Sequence, residues 1–520
     1  MPPSSTGTFG TGVVVDPTID DVEVVGLGGA VVVVATSVAQ LVGRVTVASL
    51  YTSPPRWWRS AATQDVARTR RGRERPVAYG NRRSPPARSI CALNRSKVLF
   101  EPVTCGDPSS DEGSIPSSST NPAYARAAGT CNTRIVRILF TSSPGWGHIH
   151  PMVALARAFL DRGDEVLWVT GADACDRLER EGFETSAAGL GEREGMSEFN
   201  RQFPEIQTLP PPERPDFMFP RLFGTVRAAS MLIDLMPAAQ AWSPTLLVCD
   251  AAEFAGPIAA AALAIPNVNH AFGSLVPPAR VAAASAQVAP LWTAHGLEPR
   301  PYGGCYDNLY LDIYPPSLQP AARPHVPATQ YLRPETFATG GDEQLPEWVT
   351  AAAATPLVYV TFGTVFRNDT ALSTIVEAVR KLPVRVVVTV GPHGDPASLG
   401  PQPGNVHVAR YIPQSQLLSH CSVVVSHAGS GTFLAALSAE IPQLCIPQAA
   451  DQFLNAAACD GSGTGLSLQP GSVSVDQVDD AVSRLLSDPA FRDAAARVSR
   501  EIAAMPSAPA VADRLHTQYG

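Results

Sequence analysis

The sequence SSPGWGHIHP, residues 142–151, places a histidine where it could act as a base. It continues the apolar run IVRILF, which predicts a strand, and Gly145 and Gly147 permit a tight turn. Pro151 suits the first turn of a helix predicted to begin there. His148 would then lie near a helix N-terminus, whose partial positive charge keeps an imidazole neutral, as a general base must be. A histidine that only caps the helix or packs in the turn is the alternative.

Asp250 ends another predicted strand, TLLVCD, so we expect it at the same sheet edge as His148. A carboxylate there can fix the tautomer of the imidazole and stabilise the imidazolium that forms when a substrate hydroxyl loses its proton. Glu253 is a neighbouring candidate for this role. Asp250 could also be the N-cap of the helix predicted after it, and the two roles are compatible.

The sequence SHAGSGT, residues 426–432, lies between a buried strand and the helix predicted for FLAALSA. Gly429 and Gly431 let backbone amides approach a ligand closely, and the amides at a helix N-terminus attract phosphate oxygens. His427 adds a hydrogen-bond donor and Thr432 adds a hydroxyl. A glycine turn alone is weak evidence, but its place directly after a strand favours a phosphate site.

A third motif, PQAADQFLNA, spans residues 447–456. Asp451 and Gln452 follow a predicted strand and begin a helix. A carboxylate beside an amide can pair with neighbouring sugar hydroxyls, which need both donors and acceptors. Taken alone, the motif favours the alternative in which Asp451 caps the helix and Gln452 is exposed.

Strands alternate with helices around all three motifs, a pattern typical of parallel sheets covered by helices on both faces. We therefore predict an α/β protein with two doubly wound, Rossmann-like domains that face a cleft. The first domain is expected over residues 134–330 and the second over residues 356–520. A proline-rich linker over residues 331–355 separates them.

Residues 1–133 have a different character, because an arginine-rich stretch is followed by a Ser/Pro-rich one. We expect a low-complexity, disordered extension here that is not part of the native protein, whose start we place near Val136. Val24–Gly43 is an uncharged run long enough to span a bilayer. An unstructured leader is favoured over a membrane span. A secretory signal is not indicated, since a basic start and a clear cleavage site are missing.

Composition excludes some partners. The chain has 520 residues, of which 45% are apolar and 17% charged, and its net charge of −8 gives no reason to expect nucleic acid as a partner. The nine cysteines are scattered without a C-x-x-C pair, so neither a disulfide framework nor a metal site is predicted. A reducing cytoplasm is the expected location.

In combination and in this order, GWGHIHP, VCD, VTFGT, RYIPQ, HAGSGT and PQAADQFLNA resemble glycosyltransferase family 1. The resemblance is strongest to bacterial enzymes that decorate macrolides, glycopeptides and other secondary metabolites, and it covers residue 135 to the C-terminus. It implies the GT-B fold and metal-independent inversion at the anomeric carbon. It also implies acceptor binding by the first domain and donor binding by the second.

By this resemblance, His148 is the base and Asp250 is its partner. The implied donor-binding residues are Ile412 and Gln414 at the nucleobase and ribose, Thr364, His427, Gly429, Ser430, Gly431 and Thr432 at the diphosphate, and Asp451 and Gln452 at the sugar. The implied reaction moves a hexose or deoxyhexose from a dTDP- or UDP-sugar to a hydroxyl of a small hydrophobic natural product. No cofactor or metal is expected, and a homodimer is compatible with the family.

Two positions depart from the family pattern. Many relatives that use uridine donors carry a glutamate eight residues after the motif histidine, where this chain has Ala435. Thymidine lacks the 2′-hydroxyl that this glutamate binds, so the alanine favours a dTDP-sugar. Glu440 stands where relatives usually have glycine, and it adds strain if that turn needs a positive φ.

Three other functions are open alternatives: a nucleotide-sugar epimerase, an NAD-dependent dehydrogenase, and a catalytically silent sugar-nucleotide-binding helper of a partner enzyme. The epimerase would need acidic residues near the sugar, and the glycines of VVGLGGA only loosely resemble a dinucleotide turn. For the acceptor, we expect an apolar pocket formed by residues 199–223 and loops within residues 272–292.

Overall fold

The computed structural model describes residues 22–27, 30–35, 135–320, 322–335, 345–350, 354–362, 369–391, 394–471 and 473–520. The chain divides into two compact units, Met1–Pro122 and Ala123–Gly520. In the first unit, strands β1 (Val22–Leu27) and β2 (Ala30–Ala35) pair antiparallel. These two strands lie within the extension for which the sequence predicts disorder, and their valines favour extended backbone. The rest of the predicted extension and of Val24–Gly43 lies outside the described residues.

The first domain of the second unit contains a seven-stranded parallel sheet with the order β5-β4-β3-β6-β7-β8-β9. Its strands are β3 (Arg137–Thr141), β4 (Glu165–Thr170), β5 (Glu184–Ala187), β6 (Leu246–Asp250), β7 (Asn267–His270), β8 (Leu309–Asp312) and β9 (Thr329–Tyr331). The direction of the winding reverses between β3 and β6, and such a switch point opens a crevice at the carboxyl ends of the strands.

Helices cover both faces of this sheet. They are α1 (Trp146–Asp161), α2 (Ala172–Arg180), α3 (Glu192–Gln202), α4 (Arg214–Phe219), α5 (Ala228–Trp242), α6 (Ala255–Leu263) and α7 (Pro278–Ala294). A π-helix, Pro220–Arg227, joins α4 to α5.

The start predicted for the first helix is wrong. Helix α1 begins at Trp146, five residues before Pro151, because Gly145 adopts the extended conformation of an N-cap (φ −65°, ψ 135°). Pro151 therefore lies inside the helix, where it has no amide hydrogen to donate to the carbonyl of Gly147. His148 is consequently held in the first turn of regular helix and not in a loop.

The second domain contains a six-stranded parallel sheet with the order β12-β11-β10-β13-β14-β15. Its strands are β10 (Leu357–Thr361), β11 (Arg385–Thr389), β12 (Val406–Ala409), β13 (Val423–Ser426), β14 (Gln443–Cys445) and β15 (Gly465–Ser467). A short helix, α8 (Glu347–Thr350), precedes the first strand of this sheet. The helices that follow are α9 (Asp369–Val379), α10 (Gln414–Leu417), α11 (Ser430–Ser438), α12 (Gln452–Ser462), α13 (Val475–Ser487), α14 (Pro489–Ala504) and α15 (Ala508–Tyr519). The prediction of two doubly wound domains is confirmed.

The last helix, α15, returns to the first domain and packs against α1. Nδ1 of His516 lies 3.1 Å from a carboxylate oxygen of Asp164, and Leu515 is buried in the core of the first domain. Just before α15, the carbonyl of Pro506 accepts a hydrogen bond of 2.8 Å from the amide of Arg333. The polypeptide therefore passes between the domains twice, and residues 356–520 do not all pack on the second sheet.

Among the described residues, one helical stretch, Pro211–Trp242, is long and apolar enough to cross a membrane. Its most apolar window has a mean hydropathy of 1.2, and 56% of that window is buried within the protein. Leu222, Val226 and Leu235 in this stretch belong to the hydrophobic core. Core helices often have such a composition, and the contacts of this stretch are those of a core helix.

Candidate active site

His148 and Asp250 meet at the switch point of the first sheet. His148 lies in the first turn of α1, which follows β3, and Asp250 is the last residue of the adjacent strand β6. Nδ1 of His148 is 2.9 Å from Oδ2 of Asp250. The carboxylate is fully buried, whereas 19% of the histidine side chain is exposed. The structure thus brings together the two residues that the sequence assigned to catalysis.

Backbone amides hold the Asp250 carboxylate in place. The amide of Ser143 donates to Oδ2 at 3.3 Å, and the amide of Ala252 donates to Oδ1 at 3.2 Å. These donors compensate part of the free energy lost when a charged group leaves water. The carboxylate is therefore oriented independently of the imidazole that it contacts.

Glu253 does not take the role of Asp250. Its carboxylate accepts hydrogen bonds from the amides of Ala255, at 2.6 Å, and Gly256, at 2.8 Å, which belong to the first turn of α6. Burial raises the pKa of Glu253 to about 7. The helix-capping role considered for Asp250 therefore belongs to Glu253.

The pKa of His148 is raised above its ordinary value of 6.5. Burial alone would lower this pKa, but the negative charge of Asp250 and its contact with the ring raise it, with a further rise from Glu192 and a decrease from Arg227. The sequence predicted that the helix N-terminus disfavours a charged imidazole, and the Asp250 carboxylate acts in the opposite direction. The nearby carboxylate makes His148 a stronger base than a free imidazole.

Aromatic rings flank the imidazole. The ring centroid of His148 lies 5.4 Å from that of Phe223 and 4.7 Å from that of Phe272. Both phenylalanines come from the stretches in which the sequence predicted an apolar acceptor pocket. The base therefore faces a partly apolar space.

The glycine motif of the second domain begins helix α11, with Gly429 as its N-cap. The first intrahelical hydrogen bond joins the Phe433 amide to the Gly429 carbonyl at 2.9 Å. The amides of Ser430, Gly431 and Thr432 come before it and therefore stay available to a ligand. An added Cβ on Gly429 would stand 2.5 Å from Nε2 of His427, so a side chain at this position would require the imidazole to move. This turn has the chemistry of an anion site.

His427 lies just after β13 and is largely buried. Burial lowers its pKa to about 4, so the imidazole is neutral at physiological pH. A neutral imidazole carries one N–H donor, which agrees with the donor role predicted for it. Ala428, the next residue, has a φ of +63°, a conformation that the sequence did not indicate.

Asp451 faces the glycine turn instead of capping its own helix. It occupies the N-cap position of α12, but its side chain binds no amide of that helix. Oδ2 of Asp451 accepts from the hydroxyl of Ser430 at 2.5 Å and from Nδ2 of Asn455 at 3.2 Å. The capping alternative is therefore wrong.

Gln452 is buried, with 2% of its surface exposed, so the prediction of an exposed side chain is also wrong. Its Oε1 accepts hydrogen bonds from the amides of Gln448 at 2.7 Å and Ala449 at 2.9 Å. These bonds fix the turn between β14 and α12. Gln452 thereby supports the geometry in which Asp451 is held.

Asn455 and Tyr314 complete this network, and sequence reasoning missed both. Nδ2 of Asn455 also donates to the Ala428 carbonyl at 2.8 Å and to the Ser430 hydroxyl at 3.0 Å. Its Oδ1 accepts from the hydroxyl of Tyr314, which belongs to the first domain, at 2.9 Å. The only signal was the position of Asn455, one helical turn after Asp451.

The two halves of the site touch at Gly273. An added Cβ on this residue would stand 2.0 Å from the hydroxyl oxygen of Ser430 and 3.2 Å from Oδ2 of Asp451. Gly273 directly follows Phe272, which contacts the His148 ring, and helices α1 and α11 are also in contact. The glycine turn therefore packs against the segment of the first domain that contacts His148.

The remaining predicted donor residues are less informative. Ile412 is buried, with 4% of its surface exposed, in a cluster that includes Leu417 and Ala435. Gln414 begins the short helix α10, and Thr364 lies outside the described residues. Glu440 has a φ of +62°, so the strain anticipated at this position is present.

Comparison with known proteins places this fold and site. Residues 373–517 match the family described as 'Erythromycin biosynthesis protein CIII-like, C-terminal domain'. Elloramycin glycosyltransferase from Streptomyces olivaceus is 31% identical over 408 residues, which cover 74% of this chain and 98% of that protein. The glycosyltransferase SnogD from Streptomyces nogalater superposes with a TM-score of 0.61 at 29% identity, over 74% of this chain and 100% of SnogD.

A further solved structure, glycosyltransferase VinC in complex with dTDP, has a TM-score of 0.60 at 24% identity, over 74% of this chain and 100% of VinC, and supports the same fold. Fold and site together define a glycosyltransferase with the GT-B architecture. The chain belongs to the family of glycosyltransferases of antibiotic biosynthesis. It is therefore a transferase.

Replacing Asp250 with asparagine will lower the pKa of His148, because the amide removes the negative charge that raises it while keeping nearly the same shape. The imidazole resonances, followed by NMR over a pH titration, measure this pKa. Asp216→Asn, at an exposed carboxylate, is the control and leaves the titration of His148 unchanged. An unchanged or higher pKa in Asp250→Asn would contradict the assignment.

Replacing Gly273 with alanine will lower sugar transfer about 10²-fold, because the new methyl group displaces the Ser430 side of the crevice from the His148 side. Steady-state transfer rates with saturating donor measure the loss. Gly461→Ala is the matched control, since an added Cβ there meets open space. Equal rates in Gly273→Ala and the control would show that transfer does not depend on the close packing of the Ser430 side against the His148 side.

Proposed function

We propose that this chain is an inverting glycosyltransferase, which moves a hexose or deoxyhexose from a nucleotide diphosphate sugar to a hydroxyl of a small hydrophobic natural product. The observation that supports it most directly is the crevice in which a carboxylate-supported His148 faces the amide-lined turn before α11. The names of the relatives, which refer to sugar transfer in antibiotic biosynthesis, support the acceptor class.

The geometry at His148 suggests how the proton moves. Nδ1 contacts Asp250, so Nε2 is the nitrogen left to take the proton of the acceptor hydroxyl. The acceptor oxygen forms a bond to the anomeric carbon while the bond from that carbon to the diphosphate oxygen breaks on the opposite face. Asp250 stabilises the imidazolium that results, as the carboxylate does in a catalytic triad.

The leaving nucleoside diphosphate would be stabilised by the turn at residues 427–432. The amides of the first turn of α11 and the positive end of its dipole meet the charge that develops on the diphosphate. Neutral His427 and the Thr432 hydroxyl add donors. Because these groups supply the stabilisation, the proposed reaction uses no metal ion or cofactor. In the described part of the chain, no group of three or more His, Cys, Asp or Glu side chains is arranged to hold a metal.

Asp451 and Gln452 are the proposed sugar-binding pair. The Asp451 carboxylate is oriented by Ser430 and Asn455, so its second oxygen is available to a sugar hydroxyl. Gln452 holds the turn before α12. We also infer a cytoplasmic location, since the six cysteines that the structure describes are unpaired, as is usual in reducing compartments.

Replacing His148 with alanine will lower the turnover number about 10²–10⁴-fold, the usual contribution of a general base, while donor binding persists. Transfer rates and nucleotide titrations on the same protein measure both quantities. His295→Ala, at an exposed histidine, is the control and keeps the wild-type rate. Near-normal turnover in His148→Ala would rule out this role.

A dTDP-sugar is the proposed donor, because Ala435 is buried beside Ile412 and offers no acceptor for a ribose 2′-hydroxyl. Calorimetric titration with dTDP-glucose and UDP-glucose is expected to give tighter binding of the thymidine nucleotide. The free nucleotides dTDP and UDP serve as controls for effects of the sugar. A clear preference for UDP-glucose would remove this argument.

A further inference from the structure

The π-helix Pro220–Arg227 lies beside the base and is a rare conformation that is frequent at functional sites. Gly224 in its centre packs closely on α7, where an added Cβ would stand 3.0 Å from the Ala284 carbonyl oxygen. Phe223 and Arg227, about one turn apart on this segment, both line one cavity. The segment is thus fixed from behind and presents two side chains to the same space.

This cavity has a volume of about 20 Å³, which is room for one water-sized group, and is lined largely by apolar groups. Its lining includes Ser143, Pro144, Leu190, Phe223, Arg227 and Phe254. It lies next to the catalytic pair, because Phe223 contacts the His148 ring and the amide of Ser143 binds the Asp250 carboxylate. A carbonyl oxygen of an acceptor that enters this cavity would be close to the hydroxyl that His148 deprotonates.

Arg227 is the cationic side chain in the wall of this cavity. Only 8% of the side chain is exposed, and Nη2 lies 2.7 Å from a carboxylate oxygen of Glu192. Nε and Nη1 are buried and have no hydrogen-bond partner among the residues that the structure describes. Buried donors without partners are unfavourable, and such groups commonly await a ligand or water.

Neighbouring residues hold the guanidinium in this position. The backbone of Gly195 in α3 packs against it so closely that an added Cβ would stand 3.0 Å from Cζ of Arg227. Glu192, at the start of the same helix, supplies the counter-charge. Because Glu192 already balances the positive charge, the missing partner is a neutral oxygen and not a second carboxylate.

We propose that Arg227 determines acceptor specificity by binding a neutral carbonyl oxygen of the acceptor ring system, an inference that rests on the proposed function. The carbonyl accepts hydrogen bonds from the free guanidinium nitrogens while an adjacent hydroxyl faces His148. Acceptors would then be hydroxylated ring systems that also carry a keto or quinone oxygen. An analogue without that oxygen leaves the buried donors unpaired and binds more weakly.

Two probes with the same ring system test this inference. The β-hydroxy derivatives of anthraquinone and anthracene share three fused rings and one hydroxyl and differ in the two carbonyl oxygens. With dTDP present, calorimetry on the wild-type chain is expected to show at least roughly tenfold tighter binding of the quinone. The double variant Arg227→Met/Glu192→Gln, which removes the donors without leaving an unpaired charge, is expected to lose this preference.

Two further variants keep the experiment decisive if the double variant does not fold. Gly195→Ala displaces the guanidinium while retaining every charge, and is expected to reduce the preference. Arg221→Met is the matched control, since the Arg221 guanidinium stacks on Phe217, and it is expected to retain the preference.

Each remaining outcome contradicts the inference. Equal or absent binding of both probes by the wild-type chain, or an unchanged preference in both Arg227→Met/Glu192→Gln and Gly195→Ala, overturns it. A carboxylate-bearing anthraquinone that binds more tightly than the neutral quinone would show an anion site and overturn the neutral-oxygen claim.

Failure of the proposed function has a different signature. If His148→Ala transfers sugar normally while the quinone preference depends on Arg227, the mechanism is wrong and the binding site stands. If His148→Ala is slow and the quinone preference is missing, only the binding site is wrong.

Discussion

The contact between Asp250 and His148 is the interaction on which the site depends. A buried carboxylate is stable only if hydrogen bonds and a compensating charge replace the water that it has lost. Two amides and the imidazole supply these here, and all three come from segments that meet where the winding of the first sheet reverses. The order of the strands, more than any single loop, therefore determines where the base stands and how basic it is.

The second half of the site is held by a different kind of interaction, a chain of neutral and charged hydrogen bonds. Asn455 connects the glycine turn, Asp451 and Tyr314, so the proposed sugar-binding side is linked to the first domain. Such buried networks are stable when every member is satisfied, and they restrict side chains to one arrangement. Close packing of Gly273 against Ser430 brings the His148 side of the first domain to the glycine turn of the second. The complete site therefore requires both domains.

Local sequence was sufficient to predict the elements whose formation depends on a few neighbouring residues. Continuous apolar runs predicted the central strands, and the glycine motif after β13 predicted the anion-binding turn, because strand burial and helix ends leave marks within a few residues. The short strands β5 and β9 have no such run, and what identifies them as strands is their pairing with β4 and β8. The antiparallel pair β1–β2 was missed because its valines were weighed as a membrane span and not as strands.

Residue chemistry was harder to predict, since it depends on distances between segments far apart in sequence. The sequence placed Asp250 near His148, but the 2.9 Å distance between them and the net rise in the pKa of His148 required the structure. In the same way, the amides at the start of α6 bind Glu253 and not Asp250, and Arg227 has no motif that marks it as buried. The resemblance to a family supplied the residue roles, whereas the environment of each residue required the structure.

The double passage of the polypeptide between the domains limits how they can move. One connection leaves the first sheet after β9, and the other returns from α14 to α15. Two covalent connections at separate points restrict rotation of one domain about the other more than a single connection would. Any motion that separates Gly273 from Ser430 therefore has to leave both connections intact.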